Sequence, residues 1–314
     1  MKIAVIVPCY DEECTIGKVV GDFRRELPEA VIYVGDNNST DRTARVAAEA
    51  GATVIPVYRQ GKGAVARALF REVEADVYVM VDGDDTYPAA AVHKLIEPVR
   101  AGRADMAVGD RRAGGGYRNH NQRPFHSFGN ALVTRSINLL FRCRLNDIMS
   151  GYRACSRHFV RNLAIPSDGF ELETGMTLHA LEKRFTVAEI PIEYRDRPPD
   201  SFSKLRTFGD GFRVLREILW VYKDAKPLVF FTAMSALFLT VALGIGVPVV
   251  IEFMHTGLVL KFPRAILACG LAVISSLLLI CGFILDTIVK FHQESYELHL
   301  NRDLNRNLNR NDGD

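Results

Sequence analysis

The chain has 314 residues, which is room for one large domain or two small ones. Its net charge of +2 reflects nearly matched basic and acidic residues, so the charge gives no support for a nucleic-acid-binding protein. The six cysteines include no CxxC pair, and two of them lie in very apolar stretches, which disfavours a disulfide framework or a zinc site and favours a reducing cytosol.

The N-terminal third alternates strand-like and helix-like segments. The stretch MKIAVIVPCYDEE has one lysine, a short apolar run and no small-residue cleavage site, so it indicates a first strand and not a signal peptide. Further strands are predicted in AVIYVGD, ATVIPVY, DVYVMVD and ADMAVGD. Helices are predicted between them, at Ile16–Leu27, in STDRTARVAAEAG, in GKGAVARALFREVE and near Ala89–Ala101. This βαβα order is typical of an α/β fold with an open, mostly parallel sheet and helices on both faces.

Charged residues follow all five predicted strands. They are Asp11 and Glu12, Asp36, Arg59 and Lys62, Asp82 with Asp84 and Asp85, and Asp110 with Arg111. Loops are commonly polar, which explains any one of these positions but explains all five poorly. Ligands of such sheets bind beyond the carboxyl ends of the strands, so the sequence predicts a binding site at this edge.

The middle of the chain contains a loop and three more elements. A Gly- and Asn-rich loop, AGGGYRNHNQRP, is predicted after Arg112, followed by a helix at about Phe125–Phe141. Strands are predicted in DIMSGYRACS and TVAEIPIEYRDRPP, and a helix lies between them in GFELETGMTLHALEKRF.

The C-terminal third is predicted to contact a membrane. An apolar stripe at helical spacing over 205–222 predicts an amphipathic helix, either in the membrane interface or packed on the soluble domain. Two uncharged runs, 228–251 and 265–285, are each long enough to cross a bilayer, the alternative being two buried core helices. Lysine and arginine near the outer ends of this hairpin favour a cytoplasmic location for both long ends of the chain.

The predicted domains follow from these segments. They are a cytosolic catalytic domain at 1–204, an amphipathic juxtamembrane helix at 205–226, a transmembrane hairpin at 227–286 and a polar cytosolic tail at 287–314. The expected location is the inner (plasma) membrane.

The stretch VDGDDTYP is the strongest motif at the predicted edge. The first βα turn lacks the G-x-G-x-x-G fingerprint and no P-loop is present, so hydride-transfer enzymes and P-loop ATPases lose their main support. Asp82 and Asp84 form a D-x-D pair that can bind Mg²⁺ or Mn²⁺ together with waters and diphosphate oxygens. The alternative is that these acids are structural, with Asp85 or Thr86 capping a helix.

Eight sequence features occur in a characteristic order. They are VIVPCYDEE, GDNNSTDRT, GKG, VDGDDTYP, the pair Arg111 and Arg123, DIMSGYR, GFELET and SFSKL. Together they resemble family 2 glycosyltransferases with the GT-A (Rossmann-like) fold, most of all the polyprenyl-phosphate (dolichyl-phosphate-type) sugar synthases. The resemblance covers residues 2–225, and the two-span hairpin that follows suits the bacterial members.

The resemblance implies a role for each matching position. Donor binding is implied for Pro8, Tyr10, Glu12, Asp36, Lys62, Asp82 and Gly83, metal binding for Asp82, Asp84 and Thr86, and binding of the acceptor phosphate for Arg111, Arg123, Ser127 and Lys204. Asp84, Arg111, Arg123 and Asp147 are the candidate catalytic residues. At Thr86 many relatives have Gln, and because a hydroxyl is a poorer ligand than an amide carbonyl, Thr86 can act through water.

An anionic acceptor sets the expected mechanism. A polyprenyl phosphate is already anionic near neutral pH, so it requires arginines to hold it and no general base. Direct attack at C1 inverts the anomeric centre. A hydroxyl acceptor would instead require a carboxylate base, for which Asp147, Glu171 and Glu173 are candidates, and a supporting role is the alternative for each.

Several alternatives remain open at the level of sequence. The donor is expected to be a UDP-hexose such as UDP-glucose or UDP-N-acetylglucosamine, with GDP-mannose as the alternative. A processive polysaccharide synthase is disfavoured, because only two spans are present and the only tryptophan, Trp220, lies outside a Q-x-x-R-W motif. A nucleotide-sugar-binding membrane scaffold is the non-enzymatic alternative, and a homo-oligomer (dimer or tetramer) is expected from similarity.

Overall fold

The computed structural model describes residues 1–113, 124–164, 172–195, 222–224 and 226–311. For helix residues 124–130, 296, 297 and 299–311 it describes the backbone alone. The chain divides into two compact units, Met1–Gly211 and Phe212–Asp314, and each is described by itself. Of the predicted amphipathic helix at 205–226, only residues 222–224, which are helical, and residue 226 lie within the described residues.

The first unit contains the predicted strands and helices in the predicted order, with one helix, Arg157–Arg161, that was not predicted. The strands are β1 (Ile3–Cys9), β2 (Val31–Asp36), β3 (Thr53–Pro56), β4 (Val77–Met80), β5 (Met106–Asp110), β6 (Arg153–Ser156) and β7 (Val187–Pro191). The helices are α1 (Ile16–Glu26), α2 (Thr43–Glu49), α3 (Lys62–Glu72), α4 (Val92–Arg100), α5 (Pro124–Phe141), α6 (Arg157–Arg161) and α7 (Leu172–Glu182). A short 3-10 helix, Ala89–Ala91, precedes α4.

The seven strands form one sheet in the order β3-β2-β1-β4-β6-β5-β7. The pairs β3–β2, β2–β1, β1–β4 and β5–β7 are parallel, whereas β6 runs antiparallel to both of its neighbours. Because β6 alone is reversed, the segment that leads into it arrives at the edge where β1, β2, β4 and β5 end. The predicted mostly parallel sheet is therefore confirmed, and its one reversed strand delivers a further loop to the predicted edge.

Helices cover both faces of the sheet. Ile3, Val5 and Val7 of β1 point into a buried cluster with α1, α2 and α4. The alternating residues Ala4 and Ile6 point into a second cluster with α3, α6 and α7. Each fully buried aliphatic side chain contributes roughly 1.5–3 kcal/mol through removal from water, so both faces stabilise the strands that position the site.

The predicted strand in DIMSGYRACS is shorter than its apolar pattern indicates, since β6 begins at Arg153. The N–H groups before it bind side chains. Those of Asn146 and Asp147 donate to Glu189, and that of Gly151 donates to the Tyr87 hydroxyl. These residues therefore form a fixed loop and not a strand.

The second unit contains two long apolar helices, α8 (Pro227–Thr256) and α9 (Phe262–Asn311). Gly257, with φ 70°, ends α8 in the left-handed conformation. Ser235 and Ser275 face each other, with their hydroxyl oxygens 2.9 Å apart and each hydroxyl 2.9 Å from the other residue's carbonyl oxygen. A side chain at Gly282 would meet Phe231, because a Cβ there would lie 2.9 Å from the Phe231 Cβ. Small residues thus permit close packing of the two helices.

Both helices are long and apolar enough to cross a membrane. Only 17% of the most apolar window of each helix is buried within the described residues. The alternative of two buried core helices is therefore not supported by the described part of the chain.

Candidate active site

Two loops at the edge are bound to each other. The loop after β1 and the loop before α2 exchange hydrogen bonds. The Glu12 N–H donates to Thr43 Oγ1 at 2.7 Å, and the Thr40 N–H donates to Asp11 Oδ1 at 2.7 Å. Arg42 donates through its backbone N–H to Glu13 at 2.9 Å. These contacts fix the backbone next to the predicted donor residues Tyr10 and Glu12, both of which are partly buried.

Asp36 ends β2 and pairs in register with Cys9 of β1. Its Oδ1 is buried and accepts no hydrogen bond from the residues that the structure describes. Burying a carboxylate oxygen without a hydrogen-bond donor raises the free energy of the folded protein, so this atom is suited to accept a hydrogen bond from a ligand. The next residue, Asn37, binds the carbonyls of Val57 and Arg59 and the N–H of Gly61, which fixes the loop after β3 beside Asp36.

Asp84 is buried and bonded to Thr86. The Thr86 hydroxyl donates to Asp84 Oδ1 at 2.6 Å, and the Thr86 N–H reaches the same oxygen at 3.2 Å. Thr86, predicted as a metal ligand, therefore orients the Asp84 carboxylate, and its metal role stays a prediction. Neither Asp85 nor Thr86 caps the helices that follow, because Pro88 precedes the 3-10 helix and Ala91 precedes α4. Asp85 forms an ion pair with Lys18 at 2.7 Å.

Two glycines permit the close approach around Asp82. A Cβ on Gly83 would lie 2.7 Å from Cys9 Sγ, so this turn packs directly on β1. A Cβ on Gly151 would lie 2.7 Å from Asp82 Oδ2, so the Asp82 carboxylate packs directly against the backbone of the loop before β6. Gly151 is a site residue that the sequence analysis did not single out, although its motif DIMSGYR was noted.

Lys62 lies between two carboxylates. Its Nζ is 2.5 Å from Asp82 Oδ1 and 2.5 Å from Glu173 Oε1. Burial alone would lower the pKa of Lys62, but the charges of Asp82 and Glu173 outweigh it and raise the pKa above the ordinary lysine value. Lys62 is therefore an ammonium at neutral pH, and Glu173, a candidate base in the sequence, is its ion-pair partner.

The residues at this edge fit a divalent cation. Asp82 and Asp84 offer hard carboxylate oxygens of the kind that Mg²⁺ and Mn²⁺ prefer. Among the described residues, no group of three or more His, Cys, Asp or Glu side chains forms a metal cluster. Two carboxylates, with the remaining positions filled by water and diphosphate, suit a cation that binds together with a phosphorylated ligand.

Arg111 and Asp147 form a buried bidentate pair. Arg111 Nε is 2.7 Å from Asp147 Oδ2, and Nη2 is 2.8 Å from Oδ1. Arg111 Nη1 lies 3.4 Å from the Tyr87 hydroxyl, and its guanidinium lies 5.4 Å from the ring centroid of Tyr194. Burial raises the pKa of Tyr87, so its hydroxyl stays neutral. Asp147 thus holds Arg111 in this orientation, and the catalytic roles predicted for the two residues stay predictions.

Two further charged residues fix the loop that carries Asp147. Glu189 of β7 accepts from the N–H groups of Asn146 and Asp147 at 2.7–2.8 Å, and burial raises the pKa of its carboxyl. Arg153 is fully buried and donates to the carbonyls of Ser150 and Ile148 and to Thr177 Oγ1. Burial lowers the pKa of Arg153. Its hydrogen bonds to the Ser150 and Ile148 carbonyls fix the backbone of this loop.

The described residues bring most predicted positions to one edge. Pro8 pairs with Gly35 within the sheet, and Asp110 accepts from the N–H groups of Arg112 and Ala113. Glu171, Arg123 and Lys204 lie outside the described residues, as does the side chain of Ser127. Tyr87 and Glu189 are additional residues at this edge, and the apolar pattern of the sequence did not predict a site role for either of them.

The sequence comparisons identify the relatives of this chain. Residues 4–163 match the family described as "Glycosyl transferase family 2". The chain is 30% identical to the glycosyltransferase AglJ of Haloferax volcanii over 298 residues, 93% of this chain and 95% of the relative. It is 28% identical to a dolichyl-phosphate hexose transferase of the same organism, over 71% of this chain and 95% of the relative. It is 29% identical to an undecaprenyl-phosphate mannosyltransferase of Micrococcus luteus, over 63% of this chain and 85% of the relative.

The solved structures agree on the fold. Glucosyl-3-phosphoglycerate synthase from Mycobacterium tuberculosis, in complex with Mn²⁺ and UDP-glucose, matches with a TM-score of 0.56 and 21% identity. The match covers 71% of this chain and 79% of that enzyme. The GT-A fold expected from the sequence is confirmed, and the chain belongs to glycosyltransferase family 2.

Proposed function

We propose that this protein transfers a hexose from a nucleoside-diphosphate sugar to a polyprenyl phosphate, with inversion at the anomeric carbon. The product is a lipid-linked sugar monophosphate. An oxygen of the acceptor phosphate forms the new bond to C1, and the bond from C1 to the donor diphosphate breaks. The nucleoside diphosphate leaves with the bonding electrons, so no proton has to be removed from the acceptor.

Three successive contacts support the proposal. Asp82 rests on Gly151, the Gly151 N–H donates to the Tyr87 hydroxyl at 3.0 Å, and Arg111 reaches the same hydroxyl at 3.4 Å. These contacts connect Asp82, a proposed cation ligand, with Arg111, whose orientation Asp147 fixes. A transferase that moves a sugar from a diphosphate to a phosphate requires one group for each: a cation site for the donor diphosphate and an arginine nearby for the acceptor phosphate.

The donor half contains the residues for the nucleotide and its diphosphate. The buried Asp36 Oδ1 is suited to a hydroxyl or N–H of the nucleoside, and Tyr10 and Glu12 border the same loops. Asp82 and Asp84 would hold Mg²⁺ or Mn²⁺, which neutralises charge on the leaving diphosphate when bound. Lys62 adds a positive charge beside Asp82.

The acceptor half centres on Arg111. A guanidinium fixed by a bidentate carboxylate has little conformational freedom left to lose when it binds a phosphate. We place Arg123, Ser127 and Lys204 with Arg111 on the strength of the family resemblance. The same resemblance and the two apolar helices support an enzyme of the inner membrane with its catalytic unit in the cytoplasm.

The donor sugar and the acceptor are tested together. Purified full-length protein would receive radiolabelled UDP-glucose, UDP-N-acetylglucosamine or GDP-mannose, with Mn²⁺ and either undecaprenyl phosphate or undecaprenol. We expect organic-phase product from one donor, a UDP-hexose, and from the phosphate acceptor alone. Product from GDP-mannose would instead establish the mannosyl alternative, for which the Micrococcus luteus relative is the precedent.

Two outcomes would contradict the proposal. Transfer to undecaprenol as efficient as transfer to its phosphate would require a general base and a different acceptor class. Tight nucleotide binding without transfer from any of the three donors would favour the membrane scaffold.

A further inference from the structure

Lys62 and Glu173 lie at the starts of two helices on the same face of the sheet. Lys62 is the first residue of α3, and Glu173 lies in the first turn of α7. Both helices pack in the same buried cluster, so their positions are fixed by the core. The Lys62 and Glu173 side chains are 14% and 8% exposed, and the ammonium lies 2.5 Å from each of its two carboxylates.

The ammonium contacts the carboxylate that the cation would use. Asp82 and Asp84, with Glu173, supply three negative charges, and Lys62 supplies one positive charge in contact with two of them. A divalent ion bound at Asp82 would be repelled by an ammonium this close, because a like charge a few Å away is poorly screened at a partly buried site. Metal binding therefore requires either that Lys62 moves or that another anion shares its charge.

We propose that Lys62 is a built-in counter-ion of the metal site, held against Asp82 by Glu173, and that its transfer from Asp82 to the donor diphosphate couples metal binding to nucleotide binding. The inference rests on the proposed function, because it takes Asp82 and Asp84 as the site of the divalent cation. Glu173 is a positioning residue that acts through Lys62.

The surroundings of Lys62 suit such a transfer. Its flexible stem begins directly after Gly61, which has φ 125° and donates its N–H to Asn37 Oδ1. Asn37 follows Asp36, so the backbone before Lys62 is tied to the strand that borders the nucleotide pocket. Glu173 remains a partner for the ammonium when the contact with Asp82 is lost, which keeps Lys62 near the diphosphate.

The coupling can be measured by binding alone. Mn²⁺ would be titrated into purified full-length protein in detergent, with free Mn²⁺ followed by electron paramagnetic resonance. Titrations would be run without nucleotide, with UDP and with GDP. The variants are Lys62→Met, which keeps an unbranched, flexible side chain of nearly the same length without its charge, and Glu173→Gln. Arg45→Met is the matched control, because it also removes one positive charge and one ion pair, on the exposed surface of α2.

The two site variants should change Mn²⁺ affinity in opposite directions. Without nucleotide, Lys62→Met should bind Mn²⁺ at least about tenfold more tightly than the wild type, and Glu173→Gln about tenfold more weakly. The factor by which the bound nucleotide strengthens Mn²⁺ binding should shrink about tenfold in Lys62→Met, because the ammonium whose repulsion the nucleotide relieves is no longer there. The same loss should appear in the effect of Mn²⁺ on nucleotide affinity, since coupling free energies are reciprocal. Arg45→Met should match the wild type in every titration.

A merely structural pair would give a different pattern, with weaker Mn²⁺ binding in both variants. That result, or unchanged Mn²⁺ affinity in Lys62→Met, would overturn the inference while leaving the proposed function intact. If Lys62→Met fails to fold, the Mn²⁺ titration of Glu173→Gln tests the inference instead. Mn²⁺ binding by Glu173→Gln as tight as that of the wild type would then overturn it. Wild-type protein that binds no Mn²⁺ with either nucleotide or without one would contradict the proposed function as well.

Discussion

Gly151 determines how closely the loop before β6 approaches Asp82. Replacement by alanine would place a methyl group 2.7 Å from Asp82 Oδ2, closer than carbon and oxygen tolerate. Because the loop is fixed on both sides by Tyr87 and Arg153, we expect Asp82 to move and the loop to stay. The proposed metal site thus depends on the lack of a side chain at position 151.

Gly151→Ala should weaken Mn²⁺ binding in the presence of UDP by about tenfold and cost about 1–3 kcal/mol of stability through overpacking. Mn²⁺ titration and thermal unfolding check the two effects separately. Gly21→Ala is the matched control, because a Cβ at Gly21 of α1 meets nothing within 4 Å. Mn²⁺ affinity equal to that of the wild type in Gly151→Ala would contradict the dependence of the metal site on this close approach.

Asp147→Asn tests the orientation of Arg111. The amide cannot accept both guanidinium hydrogen bonds, so we expect transfer to fall by about a hundredfold, the scale of a misplaced binding group. The KM for undecaprenyl phosphate should rise while the affinity for the nucleotide stays the same, which separates this effect from general misfolding. Asp22→Asn, which removes a partly exposed carboxylate of α1 paired with Lys18 and Arg25, should leave both parameters near wild type. A rise in donor KM alone would contradict the assignment of Arg111 to the acceptor.

Among the secondary-structure elements, the antiparallel strand β6 positions the loop that contains Asp147 and Gly151 at the site. Apolar runs and turn residues predicted the first five strands and the edge at which they end, because these signals are local in the sequence. The Lys62–Glu173 pair joins residues 111 positions apart, and no periodic pattern encodes such a contact. Gly151 beneath Asp82 and Asp147 against Arg111 follow from the reversed direction of β6, which the apolar pattern alone does not specify.

The hairpin α8–α9 depends on small residues where its helices meet. Gly282→Ile should destabilise the hairpin by about 1–3 kcal/mol, because a Cβ at Gly282 already lies 2.9 Å from Phe231 Cβ. Denaturation of the full-length protein in mixed detergent micelles measures the change. Gly270→Ile, on the same helix, should be nearly neutral, because a Cβ at Gly270 meets nothing within 4 Å. Equal destabilisation by both variants would contradict this account, because a Cβ at Gly270 has no close neighbour that could be displaced.

At the scale of the whole molecule, we expect the catalytic unit on the cytoplasmic side of a membrane. The cysteine thiols report on this arrangement, because Cys14 is exposed in the first unit while Cys269 and Cys281 are exposed on the apolar helices. Burial raises the pKa of Cys155 to about 12, so this thiol should be unreactive.

A membrane-impermeant maleimide should label Cys14 rapidly in inverted inner-membrane vesicles and not in intact spheroplasts. Cys269 and Cys281 should stay unlabelled in vesicles, since lipid covers their helices, and Cys14→Ser should remove most of the signal. Labelling of Cys14 in intact spheroplasts would place the catalytic unit outside the cytoplasm.

The proposed function requires that a divalent cation at Asp82 and Asp84 support transfer of a hexose to a polyprenyl phosphate. Its most direct test is a time course of radiolabelled sugar transfer to undecaprenyl phosphate by wild type and Asp84→Ala, with EDTA added midway and Mn²⁺ restored later. We expect wild-type transfer to stop with EDTA and resume with Mn²⁺, and the folded Asp84→Ala protein to transfer nothing above background. Transfer by Asp84→Ala at close to the wild-type rate, or wild-type transfer that EDTA leaves unchanged, would contradict the claim.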